Sequence, residues 1–151
     1  MKKGTKIVVW ILACLILTGA IGVYLLVVKA MSLDKESKEY VDEVTPKILE
    51  NLNQETLFQY ASDELKKSAT QEEFDKIFKF FGKLGKFKEY RDSKGGANIS
   101  ITTGRGKQIT AAYEAHAEFE NGPAVIKVAI IKKNDKWQVV GFHINSMALA
   151  N

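Results

Sequence analysis

The chain has 151 residues, and its 22 basic and 18 acidic residues give a net charge of +4. Four of the basic residues, Lys2, Lys3, Lys6 and Lys29, lie within the first 30 positions, so the rest of the chain is formally neutral. Binding to a phosphate backbone needs a surplus of basic side chains, so the neutral balance of the remainder argues against nucleic acid as a partner. The single cysteine, Cys14, excludes a disulfide within the chain.

The first element is an apolar run without any charged residue, at residues 7–28. About 20 such residues cross the hydrocarbon core of a bilayer as a helix. Lysines are concentrated before the run, so the positive-inside rule places the N-terminus in the cytoplasm. We therefore predict a single-pass signal anchor in the cell inner (cytoplasmic) membrane. Residues 1–30 are its cytoplasmic stub and membrane span, and residues 31–151 form an extracytoplasmic domain.

Two other interpretations of this run are a cleaved signal peptide and a lipoprotein. A signal peptide has an apolar region of about 7–15 residues followed by a small-x-small cleavage site. Here the run is longer, and Lys29 stands where that site is expected. A lipoprotein would be acylated at Cys14, but the residues after Cys14 remain apolar instead of forming a polar tether. Both interpretations fit the sequence less well than an uncleaved anchor.

Three helices are predicted after the anchor. Apolar residues recur every three or four positions over residues 32–52, with a kink or restart expected at Pro46, where Thr45 is positioned to act as a cap. A short helix is predicted over residues 55–67. The third helix opens with Thr70-Gln71-Glu72-Glu73, which matches a capping box. Its buried stripe consists of Phe74, Ile77, Phe78, Phe81 and Leu84.

After Gly85, the apolar period changes from that of a helix to that of strands. Turn-forming residues separate the strands, and Asn-Gly is the strongest two-residue hairpin signal among them. The predicted turns are Gly95-Gly96, Gly104-Arg105-Gly106, Asn121-Gly122 and Asn134-Asp135, between strands at 86–92, 98–103, 107–120, 124–133 and 136–146. The predicted fold is α+β: an N-terminal transmembrane helix, then two or three helices packed on a curved antiparallel β-meander of four to five strands.

The turn positions also assign residues to the two faces of the sheet. If Asn121-Gly122 and Asn134-Asp135 each form the centre of a two-residue turn, one face is strongly apolar and is predicted to be covered by the helices. That face includes Tyr113, Trp137 and His143. A one-residue slip would exchange the faces. The opposite face is predicted to carry Glu114, His116, Glu118, Val125, Lys127, Ala129, Ile131, Val140, Phe142 and Ile144.

The strand pattern resembles the nuclear transport factor 2-like (cystatin-like) superfamily. The similar segments are residues 111–122 (AAYEAHAEFENG), 125–128 and 136–142 (KWQVVGF), and the resemblance covers roughly residues 35–147. It is greatest to small bacterial membrane-anchored or exported members. The superfamily includes both enzymes and non-catalytic assembly subunits, so the resemblance implies the fold and leaves the activity open.

The resemblance also implies where a pocket would lie. Cone-shaped enzymes of the superfamily place their acid–base residues on the concave, helix-covered face. Here that face would hold His143, with Tyr113, Trp137 and Asn145 as further pocket candidates. A general base needs a partner that orients it, and no Asp or Glu is predicted on this face. We therefore predict no catalytic residue.

His116 is a candidate metal ligand, because Glu114 and Glu118 lie two residues away on the same strand face. Same-face residues two apart are separated by about 7 Å. In the predicted register Lys127 lies opposite His116, and its positive charge favours a cross-strand charge network instead. No metal and no cofactor are predicted.

The predicted function is a membrane-anchored extracytoplasmic interaction or assembly module that self-associates through its sheet. Its partners would be the lipid bilayer at residues 7–28 and either a second copy or an unknown membrane or periplasmic protein. Large apolar side chains on an open sheet face usually need cover. The alternative is a small-molecule-binding or enzymatic cone around Tyr113, Trp137 and His143. The interface candidates are Val125, Ile131, Val140, Phe142 and Ile144.

Overall fold

The computed structural model describes residues 2–102, 104 and 106–150. The chain divides into two compact units, Met1–Leu33 and Asp34–Asn151. The first unit belongs to a long helix, α1 (Lys2–Asn51), which is long and apolar enough to cross a membrane. A single N-terminal apolar helix of this kind fits a single-pass membrane anchor.

The second unit contains the end of α1, three short α-helices, two 3-10 helices (Gly82–Leu84 and Met147–Leu149) and one open sheet. The four strands pair antiparallel in chain order, β1-β2-β3-β4. This confirms the predicted α+β fold with a meander. The further elements are α2 (Gln54–Tyr60), α3 (Asp63–Lys66), α4 (Gln71–Phe81), β1 (Phe87–Thr102), β2 (Gly106–Phe119), β3 (Gly122–Lys133) and β4 (Lys136–Asn145).

The hydrophobic core lies between the helices and one face of the sheet, which we call the core face. Alternate residues of β2 and β3 are buried there, as expected of strands with one covered face. Side chains fill this face completely around its centre, where Phe119, Ile126, Ile130 and Val139 are at most 2% exposed. We call the opposite side of the sheet the outer face.

The start of α4 follows the predicted local signal. Thr70 is the N-cap, and its side chain and that of Glu73 form the reciprocal hydrogen bonds of a capping box. Phe74 and Phe81 of the predicted stripe are buried, whereas Ile77 is exposed. The capping box is therefore confirmed, and the buried stripe is narrower than predicted.

Two other helix boundaries differ from the prediction. Helix α1 continues through Pro46 without a restart, and Thr45 is buried inside it instead of capping one. The single helix predicted next is divided into α2 and α3. Ala61 forms a parallel bridge with Val139, and the Ser62 N–H donates to the Val139 carbonyl (2.8 Å), so the chain leaves the helix to meet β4. The Ser62 side chain then caps α3.

The first strand prediction was also wrong, because Gly95 and Gly96 lie inside the continuous strand β1 and form no turn. A Cβ atom on Gly95 would lie 2.0 Å from the Ala112 carbonyl oxygen. Glycine is needed there for close approach of two backbones. By contrast, Asn134 and Asp135 form the predicted turn, with positive φ angles of 49° and 60°.

The β2–β3 hairpin turns one residue earlier than predicted. Phe119 pairs with Gly122, so Glu120 and Asn121 are the turn residues. Each predicted β2–β3 pair is consequently shifted by two positions, which preserves the faces. Hydrogen bonds to residues outside the hairpin stabilise this turn. For example, the Asn121 N–H donates to the Leu84 carbonyl (3.0 Å).

A β-bulge interrupts the pairing of β3 with β4. Ile130 pairs with Val139 as predicted, but the next pair joins Ala129 to Gly141, which leaves Val140 as the extra residue. Each later residue of β4 is therefore displaced by one position relative to β3. A displacement of one residue exchanges the faces of a strand.

The predicted faces of three β4 residues were wrong because of this bulge. Ile144 pairs with Ile126 and is 2% exposed on the core face, not on the outer face. Phe142 also packs against the core. His143, predicted on the core face, pairs with Lys127 and is exposed.

A polar cluster joins α1 to β1. Asp42 Oδ1 accepts hydrogen bonds from the Tyr90 hydroxyl and from Ser93 Oγ, both at 2.6 Å, and Oδ2 accepts one from Lys38 Nζ at 2.7 Å. Burial acts to raise the pKa of Asp42, but these hydrogen bonds together outweigh it and lower that pKa. Burial and the hydrogen bond to Asp42 raise the pKa of Tyr90.

Candidate functional site

The candidate site is the outer face of the sheet, where a row of polar side chains crosses all four strands. Lys94 of β1 pairs with Glu114 of β2, Glu114 with Lys127 of β3, and Lys127 with His143 of β4. We call these four residues the central row. They lie side by side because the register of each strand pair places them directly opposite one another.

Ion pairs connect neighbouring strands on this face. Lys127 Nζ lies 3.4 Å from Glu114 Oε1, so the predicted cross-strand charge network is present, although Lys127 does not face His116 as predicted. The two-residue shift of the β2–β3 register accounts for the change of partner. Arg91 Nη2 lies 2.7 Å from Glu118 Oε1 in a second ion pair, and His116 Nδ1 lies 3.4 Å from Asp92 Oδ1.

The outer face has two open clefts, with volumes of about 460 Å³ and 640 Å³. The larger one runs beside the central row. We call it the central cleft. Three residues that lack a side chain beyond Cβ, Ala112, Ala129 and Gly141, follow one another across β2, β3 and β4. These positions leave room for the cleft because no side-chain atom projects beyond Cβ. Its complete lining is Lys94, Gly95, Ala112, Tyr113, Glu114, Lys127, Val128, Ala129, Gly141, Phe142 and His143.

The smaller cleft (460 Å³), called the edge cleft, lies towards the β2–β3 turn. It brings the His116 and Glu118 positions of β2 close to the end of β4. Met147, which follows β4, is 83% exposed at its border. The complete lining is Arg91, His116, Ala117, Glu118, Pro123, Ala124, Val125, Asn145, Ser146 and Met147.

The four predicted pocket residues do not surround one pocket in the described part of the chain. Tyr113 is 3% exposed, and its hydroxyl is hydrogen-bonded to Ser37 Oγ (2.7 Å). Trp137 is half-buried against the core. His143 and Asn145 are exposed and hydrogen-bonded to each other (3.0 Å between Nε2 and Oδ1). Tyr113 and His143 border the central cleft, and Asn145 borders the edge cleft.

Of the predicted interface residues, Val125 and Ile131 are half-buried at outer-face positions of β3, and Val140 is half-buried in the bulge. Phe142 and Ile144 belong to the core face. The sequence did not single out the floor of the central cleft. The floor consists of three small residues on three different strands. Their alignment can be recognised only when the registers of all three strands are known.

Neither metal coordination nor likeness to another protein identifies a function. Within residues 2–102, 104 and 106–150, no group of three or more His, Cys, Asp and Glu side chains is arranged to hold a metal ion. Comparison with protein-family models, curated proteins and solved structures gave no match to this chain.

Proposed function

We propose that the protein is a membrane-anchored interaction module that binds a second copy of itself through the outer face of its sheet. In this proposal residues 7–28 span the inner membrane, the N-terminus is cytoplasmic, and the folded unit, of the nuclear transport factor 2-like type, lies outside. The observation that carries it is the shape of the outer face. A cleft floored by small residues lies directly beside the half-buried Ile131.

This juxtaposition suits a two-fold contact, in which the same patch of each copy meets itself. Ile131 is two residues from Ala129 on the same face of β3, so it projects next to the cleft floor. In a two-fold pair, Ile131 of each copy would enter the central cleft of the other. Insertion would remove apolar surface on both sides from water.

The charges of this face support the same partner. It carries side chains of both signs, including the basic Arg91, Lys94 and Lys127 and the acidic Glu89, Asp92, Glu114 and Glu118, so neither sign dominates. A face with both signs can meet its own copy without net repulsion, and electrostatic complementarity aligns the two copies. A strongly acidic or basic partner would find no opposite surplus here.

The size of the face implies a weak dimer. Four strands about 4.8 Å apart, with about eight residues each at about 3.3 Å, present roughly 500 Å² per copy. The total of about 1,000 Å² is at the lower limit for specific protein interfaces. Anchoring in a membrane compensates for this, because confinement raises the effective concentration of one copy near another.

The test is the oligomeric state of the full-length protein in detergent micelles, measured by sedimentation equilibrium. We expect a reversible dimer that Ile131→Arg weakens at least tenfold, because the arginine would place a charge in the cleft. Ile77→Arg is the matched control, since Ile77 is an exposed isoleucine on α4. Circular dichroism checks that both variants are folded. A monomeric wild type at high protein-to-detergent ratio, or equal dimerisation of both variants, would contradict self-association.

The location of the folded unit has its own test. A reporter enzyme that is active only outside the cytoplasm, fused after Asn151, is expected to be active, with the protein retained in membranes at full length. A soluble product trimmed near residue 30 would show that the apolar run is a cleaved signal peptide.

A small-molecule ligand is the second candidate, because the central cleft of 640 Å³ is within the range of about 300–1,000 Å³ typical of ligand sites. Ala129→Leu would fill the floor of the cleft. Ligands found by thermal-shift screening of the wild type should lose their effect in Ala129→Leu and keep it in Ile77→Arg.

A further inference from the structure

The β1–β2 hairpin extends beyond the rest of the sheet. Pairing of β2 with β3 begins at Ile109, whereas β1–β2 pairing continues from Ile99 through Ile101–Lys107 to the pair Thr102–Gly106. The end of the hairpin is thus a two-stranded ribbon, which we call the ribbon (residues 99–102 and 106–108).

The ribbon closes in the second predicted turn, Gly104-Arg105-Gly106. Gly104 is a turn residue, and Gly104 and Gly106 have positive φ angles of 90° and 70°, which glycine adopts readily. Arg105, also part of this predicted turn, lies outside the described residues.

The ribbon lies at the end of the second unit where the chain enters from the anchor. Ser93 is hydrogen-bonded to Asp42, and four residues further along β1 the Ala97 N–H donates to Asp34 Oδ1 (2.6 Å). Moving along β1 towards the ribbon therefore means moving back along α1 to Asp34, the first residue of this unit. Ile101 is about 13 Å further in the same direction, at about 3.3 Å per residue.

The length of chain before Asp34 limits its distance from the bilayer. Asp34 lies six positions after residue 28, the last of the predicted span. At no more than about 3.5 Å per residue, Asp34 lies within roughly 20 Å of the end of the span, whatever the conformation between them. A ribbon that projects beyond Asp34 is therefore within reach of the lipid headgroups.

The exposed side chains of the ribbon have the chemistry of a headgroup-binding surface. Ile101 is 81% exposed and Ile99 is 40% exposed, which is unusual for isoleucines on a strand. Lys107 is exposed directly opposite Ile101. Residues 98–110 contain two basic residues and no acidic one. Apolar side chains flanked by basic ones bind the boundary between headgroups and acyl chains of an anionic bilayer.

We propose that the ribbon is a second membrane contact, with Ile101 inserted at the headgroup boundary of an anionic bilayer and Lys107 bound to lipid phosphate. This contact is distinct from the anchor at residues 7–28 and from the outer face. It would fix the orientation of the folded unit relative to the membrane surface, which a single span leaves variable. The proposal rests on the membrane anchoring proposed above.

The test measures the depth of the ribbon in vesicles that contain the full-length protein. In a Cys14→Ser background, Ile101→Cys carries an environment-sensitive fluorophore, and quenchers are attached to the lipid near the headgroup. Ile77→Cys is the matched control, because α4 precedes the start of β1, at the opposite end of that strand from the ribbon. Circular dichroism checks the fold of each labelled protein.

We expect the label at position 101 to be quenched at least twofold more than the label at position 77 in vesicles of phosphatidylcholine with phosphatidylserine. Lys107→Glu and pure phosphatidylcholine should each reduce this difference. Equal quenching at the two positions would overturn the membrane contact. Equal quenching in the two lipid mixtures would overturn the assignment to anionic lipid. Alkaline extraction of the membranes tests the anchor separately, so failure of the anchor and failure of the ribbon are distinguishable.

Discussion

The bulge at Val140 determines which β4 side chain is buried, and a pair of alanine substitutions can measure this directly. Ile144→Ala removes three carbon atoms from a side chain that is 2% exposed. At about 0.8 kcal/mol per buried CH₂, their transfer to water costs about 2.4 kcal/mol. The cavity left behind adds to this, so we expect a loss of about 3–4 kcal/mol, within the usual range for such sites.

His143→Ala is the internal control on the adjacent residue. His143 is exposed, and the substitution removes only its hydrogen bond with Asn145 at the surface. We expect the free energy of unfolding to change by less than about 0.5 kcal/mol. The two substitutions should therefore differ by at least about 2 kcal/mol, given the lower limit for a buried isoleucine.

Urea unfolding of the full-length protein in detergent micelles, followed by circular dichroism, gives both values. With a slope of about 1–3 kcal/mol per molar urea, a loss of 3 kcal/mol lowers the midpoint by at least about 1 M. If His143→Ala is the more destabilising substitution, β4 pairs with β3 without a bulge. His143 then lies on the core face and Ile144 on the outer face, as predicted from the sequence. Equal effects would mean that neither register describes β4.

Three further predictions use the same unfolding measurement. Asp42→Asn should cost about 1–2 kcal/mol at pH 7, discounted for partial exposure of the carboxylate. Because folding lowers the pKa of Asp42, the wild type should lose this contribution as the pH falls below about 4, whereas Asp42→Asn should not. Gly95→Ala should cost at least about 2 kcal/mol, because its Cβ would meet the Ala112 carbonyl, whereas Gly82→Ala, with open space around it, should be neutral or stabilising by about 0.5 kcal/mol. Thr70→Ala should cost about 1 kcal/mol through loss of the cap; no change would show that the capping box does not stabilise α4.

Features specified by a few neighbouring residues were predictable from the sequence. The capping box at Thr70 and the turn at Asn134-Asp135 depend on side chains and backbone angles within four positions, so no knowledge of the rest of the fold is needed. The change from helical to strand periodicity after Gly85 is equally local. These signals were sufficient for the α+β class and for the order of the elements.

Features that depend on distant contacts were not predictable. The break between α2 and α3 is caused by Val139, which lies about 80 positions later in the chain. The bulge at Val140 leaves no mark in the sequence, because apolar residues occur at Val139, Val140 and Phe142 and either register gives an apolar face. The requirement for glycine at position 95 also comes from a distant contact, the backbone of Ala112, which the neighbouring residues in the sequence do not reveal.

The candidate site was predicted only in part for the same reason. Val125 and Ile131 were assigned correctly to the outer face, since both belong to β3, whose faces the extra residue in β4 does not exchange, and the two-residue shift of the β2–β3 hairpin preserved their orientation. The floor of the central cleft was missed. Alanine and glycine carry no functional group that a pattern can detect, and their alignment requires three correct registers.

The cluster around Asp42 has a consequence for where α1 rests along the sheet. Contacts between apolar side chains have no direction, so a helix held by them alone can move lengthwise by one turn, about 5.4 Å, and exchange one set of apolar neighbours for another. Such a step would separate the carboxylate from both the Tyr90 hydroxyl and Ser93 Oγ. Because a partly buried charge without its donors is costly, the cluster opposes such a step and stabilises the observed longitudinal position of α1.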